Sequence, residues 1–272
     1  AVGLNLILGV AGQFSLGHAG FIAIGSYSGA ILGKMMNGLP GLFAGMAVGV
    51  VISVIVAFLV GLPTLRLKGD YLAIATLGVA EIIRVAVTNM KITNGAAGIS
   101  GVPLTNTWTI TYIALVLTTI LILNYTFSSA GRATYAVLQD EIAAESMGVQ
   151  VTKYKILAFV LGAATASIGG TLSATTLGAV TPSDFTFMKS IEVLIIVVFG
   201  GIGSFTGSFV AAILLGIINL VLQPFGQLRM IIYAVALILI MIFRPGGLLG
   251  TWEFKLGDFK FSKKKETKES GK

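Results

Sequence analysis

Long uncharged apolar runs separated by short polar stretches set the pattern of this chain. Residues 41–62, 108–129 and 156–180 carry no charge over 22, 22 and 25 positions. A bilayer crossing takes ~20 apolar residues, so each run predicts one membrane helix. Residues 193–228 stay uncharged for 36 positions, too long for one crossing. Within them Gly200, Gly201, Gly203, Ser204, Gly207 and Ser208 predict a turn. Residues 1–32 share the excess length, with a similar break at 12–20. Residues 71–88 form a further span that contains Glu81 and Arg84. Residues 230–243 are short, but Arg229 and Arg244 can snorkel outward and lengthen them. The pattern predicts an all-α, polytopic integral membrane bundle of about eight to nine hydrophobic segments, some broken at glycine-rich turns.

Composition agrees. The 272 residues are 56% hydrophobic and 11% charged, with a mean hydropathy of +0.95. A soluble domain carries about 25% charged residues, so a disordered chain, a disulfide-stapled module and an ordinary soluble enzyme are excluded. The absence of cysteine removes thiolate metal sites and thiol catalysis. Of the net charge of +7, residues 251–272 supply seven lysines against four acids, or +3. No aromatic residue interleaves the lysines after 263, so this tail reads as a cytoplasmic topology signal and not as a nucleic-acid surface. With the tail inside and every segment crossing, thirteen Lys and Arg fall on the inner side and five on the outer. Without it the count is six to five, so the tail decides the orientation. The expected organisation is a transmembrane domain over 1–250, with an inner-face loop at 131–155, and a disordered basic cytoplasmic tail over 251–272. The abrupt opening at Ala1 leaves room for a further span before it.

The inner-face loop is the longest internal polar stretch. Helix formers run through it to a stop at Gly148, and Asp140, Glu141 and Glu145 can share a face. Ala143, Ala144 and Met147 make a small, smooth surface between them. The pattern alone reads first as a solvated amphipathic helix, and second as a surface that another protein can approach closely. Elsewhere, His18 beside Ser15 can line a pathway or simply be satisfied by backbone. Glu81 and Arg84, three apart, can pair within the membrane, either for function or as a structural pair near the outer interface. Residues 95–101, and the turn flanked by Asp184 and Glu192, are outer loops that fit a binding-protein contact or a plain connection. Residues 24–29 echo 202–207, which would suit a duplicated core. The glycines at 200–207 lack the Lys-Ser/Thr of a phosphate-binding loop, so no nucleotide site is expected there. Unwound backbone at membrane depth must line a cavity or be held by protein. The two breaks, with Ser15, His18, Gly200, Gly201, Gly203 and Ser204, are therefore the expected pathway lining.

The inner-face loop resembles the "EAA" loop of ABC-importer permeases, a cytoplasmic helix that docks on the ATPase subunit. Ala143, Ala144 and Gly148 stand at the spacing of that pattern. Ile142 fills the glutamate position and Glu141 sits one residue earlier, which leaves the role of Glu141 open. Further ordered blocks resemble the branched-chain amino-acid importers of the LivM/LivH class. They are Gly3-Leu-Asn5-Leu, Ser15-Leu-Gly17-His18-Ala-Gly20, Leu62-Pro63-Thr-Leu-Arg66-Leu-Lys68-Gly69-Asp70-Tyr71, Gly98-Ile-Ser100-Gly101-Val-Pro103 and Arg244-Pro245-Gly-Gly247-Leu-Leu. The third block is closer to LivM. The resemblance implies a permease subunit in a bacterial or archaeal plasma membrane, importing leucine, isoleucine and valine, or in close relatives urea and short amides. It also implies two ABC ATPase subunits that hold ATP and magnesium, a second LivH-like permease and an extracytoplasmic solute-binding protein. The chain itself would be no enzyme and would hold no metal or cofactor. An ion-coupled secondary transporter is the rival reading, against which the near absence of carboxylates in the spans argues.

Overall fold

The computed structural model describes residues 1–222 apart from Asn37, Arg66 and Lys68, together with Val235, Gly247 and Gly250. Apart from Val235, the expected segment 230–243 lies outside the described residues, as do the tail 251–272 and the residues Arg66, Lys68 and Arg244. A short helix α1 (Val2–Asn5) runs into one π turn (Leu6–Val10). There follow α2 (His18–Met35), α3 (Leu39–Thr64), α4 (Asp70–Asn89) and α5 (Trp108–Phe127). Next come α6 (Ser129–Gln139), α7 (Glu141–Ser146), α8 (Val151–Leu177), α9 (Phe187–Gly200) and α10 (Phe205–Leu222).

Four of these, α3, α4, α5 and α8, are long and apolar enough to cross a membrane, and the pair α9–α10 makes a fifth span if its two halves count as one. The described residues thus show fewer spans than the eight to nine segments expected of the whole chain, one of which lies outside them. The π turn and α1 are too short, α2 is diluted by His18, Lys34 and its serines and glycines, and α9 and α10 share one break.

The centre of the bundle is formed by α2, α3 and α8, each packed against the other two. Lipid gives apolar helices no reason to associate, so close contact between membrane helices needs small residues and hydrogen bonds. The α2–α8 seam has both. A Cβ on Gly170 would lie 2.1 Å from the carbonyl oxygen of Ile22, so only glycine admits that approach. Ser26 Oγ donates to the Gly170 carbonyl at 2.9 Å, and Thr171 Oγ1 donates to the Gly25 carbonyl at 2.9 Å. Phe21 and Phe159 meet edge-on below them, with centroids 5.7 Å apart.

The end of the bundle opposite α6–α7 is tied by a two-residue antiparallel pair, β1 (Ile99–Ser100) with β2 (Ala179–Val180). The stretch 95–101 is therefore pinned and not a plain loop. Asp184 is spent on a capping box, accepting from Thr181 N at 3.0 Å and Oγ1 at 2.8 Å, while Glu192 accepts from Lys189 at 3.0 Å. The echoed segments are not structurally equivalent. Residues 24–29 lie inside α2, whereas 202–207 form a turn and the start of α10.

Candidate functional site: an inner-face elbow and two helix breaks

The polar stretch after α5 folds as two helices, not one. Ser128 opens α6, its Oγ accepting from Gly131 N at 3.2 Å, and the Tyr125 and Thr134 hydroxyls, 2.6 Å apart, tie α6 back to α5. Asp140 then turns extended (φ −158°, ψ 112°), and its Oδ1 accepts from Ile142 N at 2.8 Å and Ala143 N at 3.1 Å. An N-cap aspartate satisfies donors that a helix start leaves unpaired, so α7 begins anew after Asp140. Gly148 ends the turn in the left-handed region (φ 82°), where its N–H reaches the Glu145 carbonyl at 2.9 Å and Val149 N that of Ala144 at 3.0 Å. The result is an elbow.

The three acids do not share a face. Asp140 is the cap, Glu141 pairs with Lys155 in the first turns of α8, and Glu145 borders a groove of about 870 Å³ with Lys153. Nor do the small residues act together. Ala144 is buried, while Ala143 is exposed between Ile142, 76% exposed, and Met147, 85% exposed. The smooth surface is Ile142, Ala143 and Met147.

Besides the tie of α6 to α5, two further contacts link the elbow to α8 and to the first break. One is the ion pair of Glu141 with the otherwise buried Lys155. The other is Leu138 of α6 packed on Gly12, whose φ is 66°; a Cβ there would stand 2.5 Å from Leu138 Cδ1. Gly12 opens the first helix break.

That break covers residues 11–17, so it is shorter than the expected 12–20 and Gly20 already lies within α2. Protein groups hold most of its backbone: Leu16 N donates to Thr76 Oγ1 at 3.0 Å, and Gly17 N to Ser15 Oγ at 3.3 Å. At the start of α2, Ala19 N donates to Ser190 Oγ of α9 at 3.0 Å. Ser15 and His18 are both buried. Among the described residues, His18 Nδ1 and both amide atoms of Gln13 have no hydrogen-bond partner.

The second break lies between Gly200 and Phe205, where α9 and α10 meet at 119°. The structure places it against α1 and not beside Ser15. Asn5, fully buried, donates to the Ser204 carbonyl at 2.7 Å and to Ser208 Oγ at 2.9 Å, and accepts from Gly203 N at 2.8 Å. Gly9 allows the chains to touch, since a Cβ there would lie 2.3 Å from Gly203 N. Gly200, Gly201 and Ser204 are buried in this contact, and Gly203 is half-buried. His18, just after the first break, and Ser208, beyond the second, both reach a cavity of about 720 Å³ walled by α1, α2, α5, α8, α9 and α10.

Sequence reasoning gave no role to Asn5, Gln13 or Lys155. For the first two the signal was present, because an amide in an apolar opening stretch must find a partner or a function. Among the described residues no three His, Asp or Glu side chains gather as a metal site would require.

Comparison with known proteins agrees on one family. Residues 1–243 match the family described as branched-chain amino acid transport system / permease component. The high-affinity branched-chain amino acid transport system permease protein LivM of Salmonella typhimurium is 36% identical over 283 residues, which cover 91% of this chain and 66% of that protein. LivH of Escherichia coli is 30% identical over 145 residues, 53% of this chain and 46% of LivH. A probable LivM of Methanocaldococcus jannaschii is 25% identical over 279 residues, 90% of this chain and 78% of that protein. The chain thus spans just under two-thirds of the length of the Salmonella LivM. No solved structure matches it.

Proposed function

The chain belongs to the branched-chain amino acid permease family, and from that premise we propose that it is the membrane subunit of an ATP-driven importer of leucine, isoleucine and valine. It is a multi-pass membrane protein, and in this reading its plasma membrane is bacterial or archaeal and its C-terminus cytoplasmic. Two ABC ATPase subunits hold ATP and magnesium, and the chain itself performs no chemistry. A second, LivH-like permease completes the pathway, and an extracytoplasmic binding protein delivers the solute.

The observation that carries the reading is the elbow. A helix as short as α7 is unstable alone, yet it holds Ile142, Ala143 and Met147 outward from caps at both ends and an ion pair to α8. An apolar patch held rigidly on a polar loop suits a docking partner. Docked ATPase subunits that close would press on α7. The push passes through Glu141 and Lys155 to α8, and through Leu138 and Gly12 to the first break. Backbone outside a helix has no ladder of bonds to resist such a shift. Ser15, His18, Gly200, Gly201, Gly203 and Ser204 line or hinge the pathway in this scheme, with Asn5 holding the second break to α1.

Reconstitution of the complex in vesicles tests it. Leucine-loaded binding protein should stimulate ATP hydrolysis and leucine uptake together, urea should not, and inactivating the ATPase site should abolish uptake. Uptake on a proton or sodium gradient with the ATPase site dead would contradict the reading.

A further inference from the structure

Resting on the permease reading, we propose that Glu81 and Arg84 on α4 face the solute pathway and bind the charged head of a zwitterionic α-amino acid. The argument begins with depth. α4 has 20 residues and spans about 30 Å. Glu81 lies eight residues before its last residue, Asn89, hence roughly 12 Å inside that end. Arg84 sits one turn nearer that end and is long enough to snorkel to the membrane surface. It does the opposite. Its Nε turns back to the two Glu81 carboxylate oxygens at 2.9 and 3.0 Å, so both charges stay at membrane depth.

Direction comes next. α4 buries Leu72, Thr76, Ala80 and Val87, with Ala73, toward the rest of the bundle. Glu81 and Arg84 are on another stripe, with Asp70, Leu77 and Thr88, at steps of seven, four, three and four residues. Their side chains remain 45% and 29% exposed, and among the described residues they bond only each other. Ionised groups at membrane depth face the interior of an assembly or a water-filled cavity, because hydrocarbon cannot solvate them. Among the described residues no other element bonds the pair, and on this proposal the stripe borders water.

Chemistry then selects the solute. The pair sets a carboxylate and a planar guanidinium side by side, which matches the ammonium and carboxylate of an α-amino acid in opposite order. Next to it Gly78 leaves open space, since nothing lies within 4 Å of where its Cβ would be, and exposed Ile74 and Ile82 stand one turn away on either side. A branched aliphatic side chain can lie against these two isoleucines over the glycine. Urea, with no separated charges, has no use for the pair.

The chain contains no cysteine, so an introduced one is unique. In the assembled complex in vesicles, Leu77→Cys and Thr88→Cys should react with a charged, membrane-impermeant thiosulfonate, whereas Val51→Cys on the exposed face of α3 should not. Glu81→Gln and Arg84→Gln should each lower leucine uptake by about ten- to hundredfold, as loss of a charge-assisted contact does. The double exchange Glu81→Arg with Arg84→Glu keeps an ion pair but reverses its order, and should stay defective. Position 77 as unreactive as position 51 would overturn the proposal by placing the stripe on lipid or in a dry interface. Recovery of uptake in the double exchange would overturn it by making the pair merely structural. Labelling does not depend on the transported solute. Labelling of the Leu77→Cys variant together with no leucine uptake by the wild-type complex would therefore sink the permease reading's substrate and leave the water-facing stripe standing.

Discussion

The α2–α8 seam and the outer face of α4 both put polar groups at membrane depth, and they treat them in opposite ways. In the seam the polar groups are hydroxyls, of which those of Ser26, Ser28, Thr171 and Thr175 donate to backbone carbonyls across or along the helices, with glycines that bring the two backbones into contact. On α4 the groups are full charges, open on one side, next to a glycine with empty space above it. The seam is finished within this chain. Among the described residues the α4 face is left open, and in the scheme proposed above the difference separates the part of the molecule that holds the bundle from the part that meets solute.

The largest expected effect tests the seam. Gly170→Val should abolish the folded bundle, because its Cβ would overlap the Ile22 carbonyl at 2.1 Å, whereas Gly78→Val meets no such atom. Thermal unfolding in detergent should show one lost transition and one retained. A Gly170→Val protein that unfolds like wild type would break the contrast. A smaller effect is expected at Asn5, which serves neither region but closes the second break. Asn5→Ala strands the Gly203 N–H, takes one of its donors from the Ser204 carbonyl and should cost about 1–3 kcal/mol. An unchanged denaturation midpoint would show that the break is held by its glycine contacts alone.

Much of this was legible in the sequence. The uncharged runs at 41–62, 108–129 and 156–180 became α3, α5 and α8 because hydrocarbon-compatible length is a local property. The breaks were legible in place but not in extent. Gly20 reads as a helix breaker, yet it stays helical because it packs close to Ala80 of α4. Asp140 is an N-cap by its local pattern, and reading the stretch as one helix missed the elbow it makes. What stayed hidden depends on long-range partners. Glu141 finds Lys155 only because the elbow folds back, and Asn5 meets Ser204 across 199 positions. The direction in which Glu81 and Arg84 face was equally invisible, since it is fixed by the side of α4 that α2 covers.

The central claim is that energy enters at the elbow, and one substitution addresses it directly. Gly148→Arg adds bulk and charge where nothing lies within 4 Å, beside the exposed Met147, and strains the left-handed cap that ends the elbow. With the bundle's unfolding transition preserved, the account predicts loss of ATPase-subunit binding or of solute-stimulated ATP hydrolysis, and with either the loss of leucine uptake. ATPase binding and uptake at wild-type levels in that variant would contradict it.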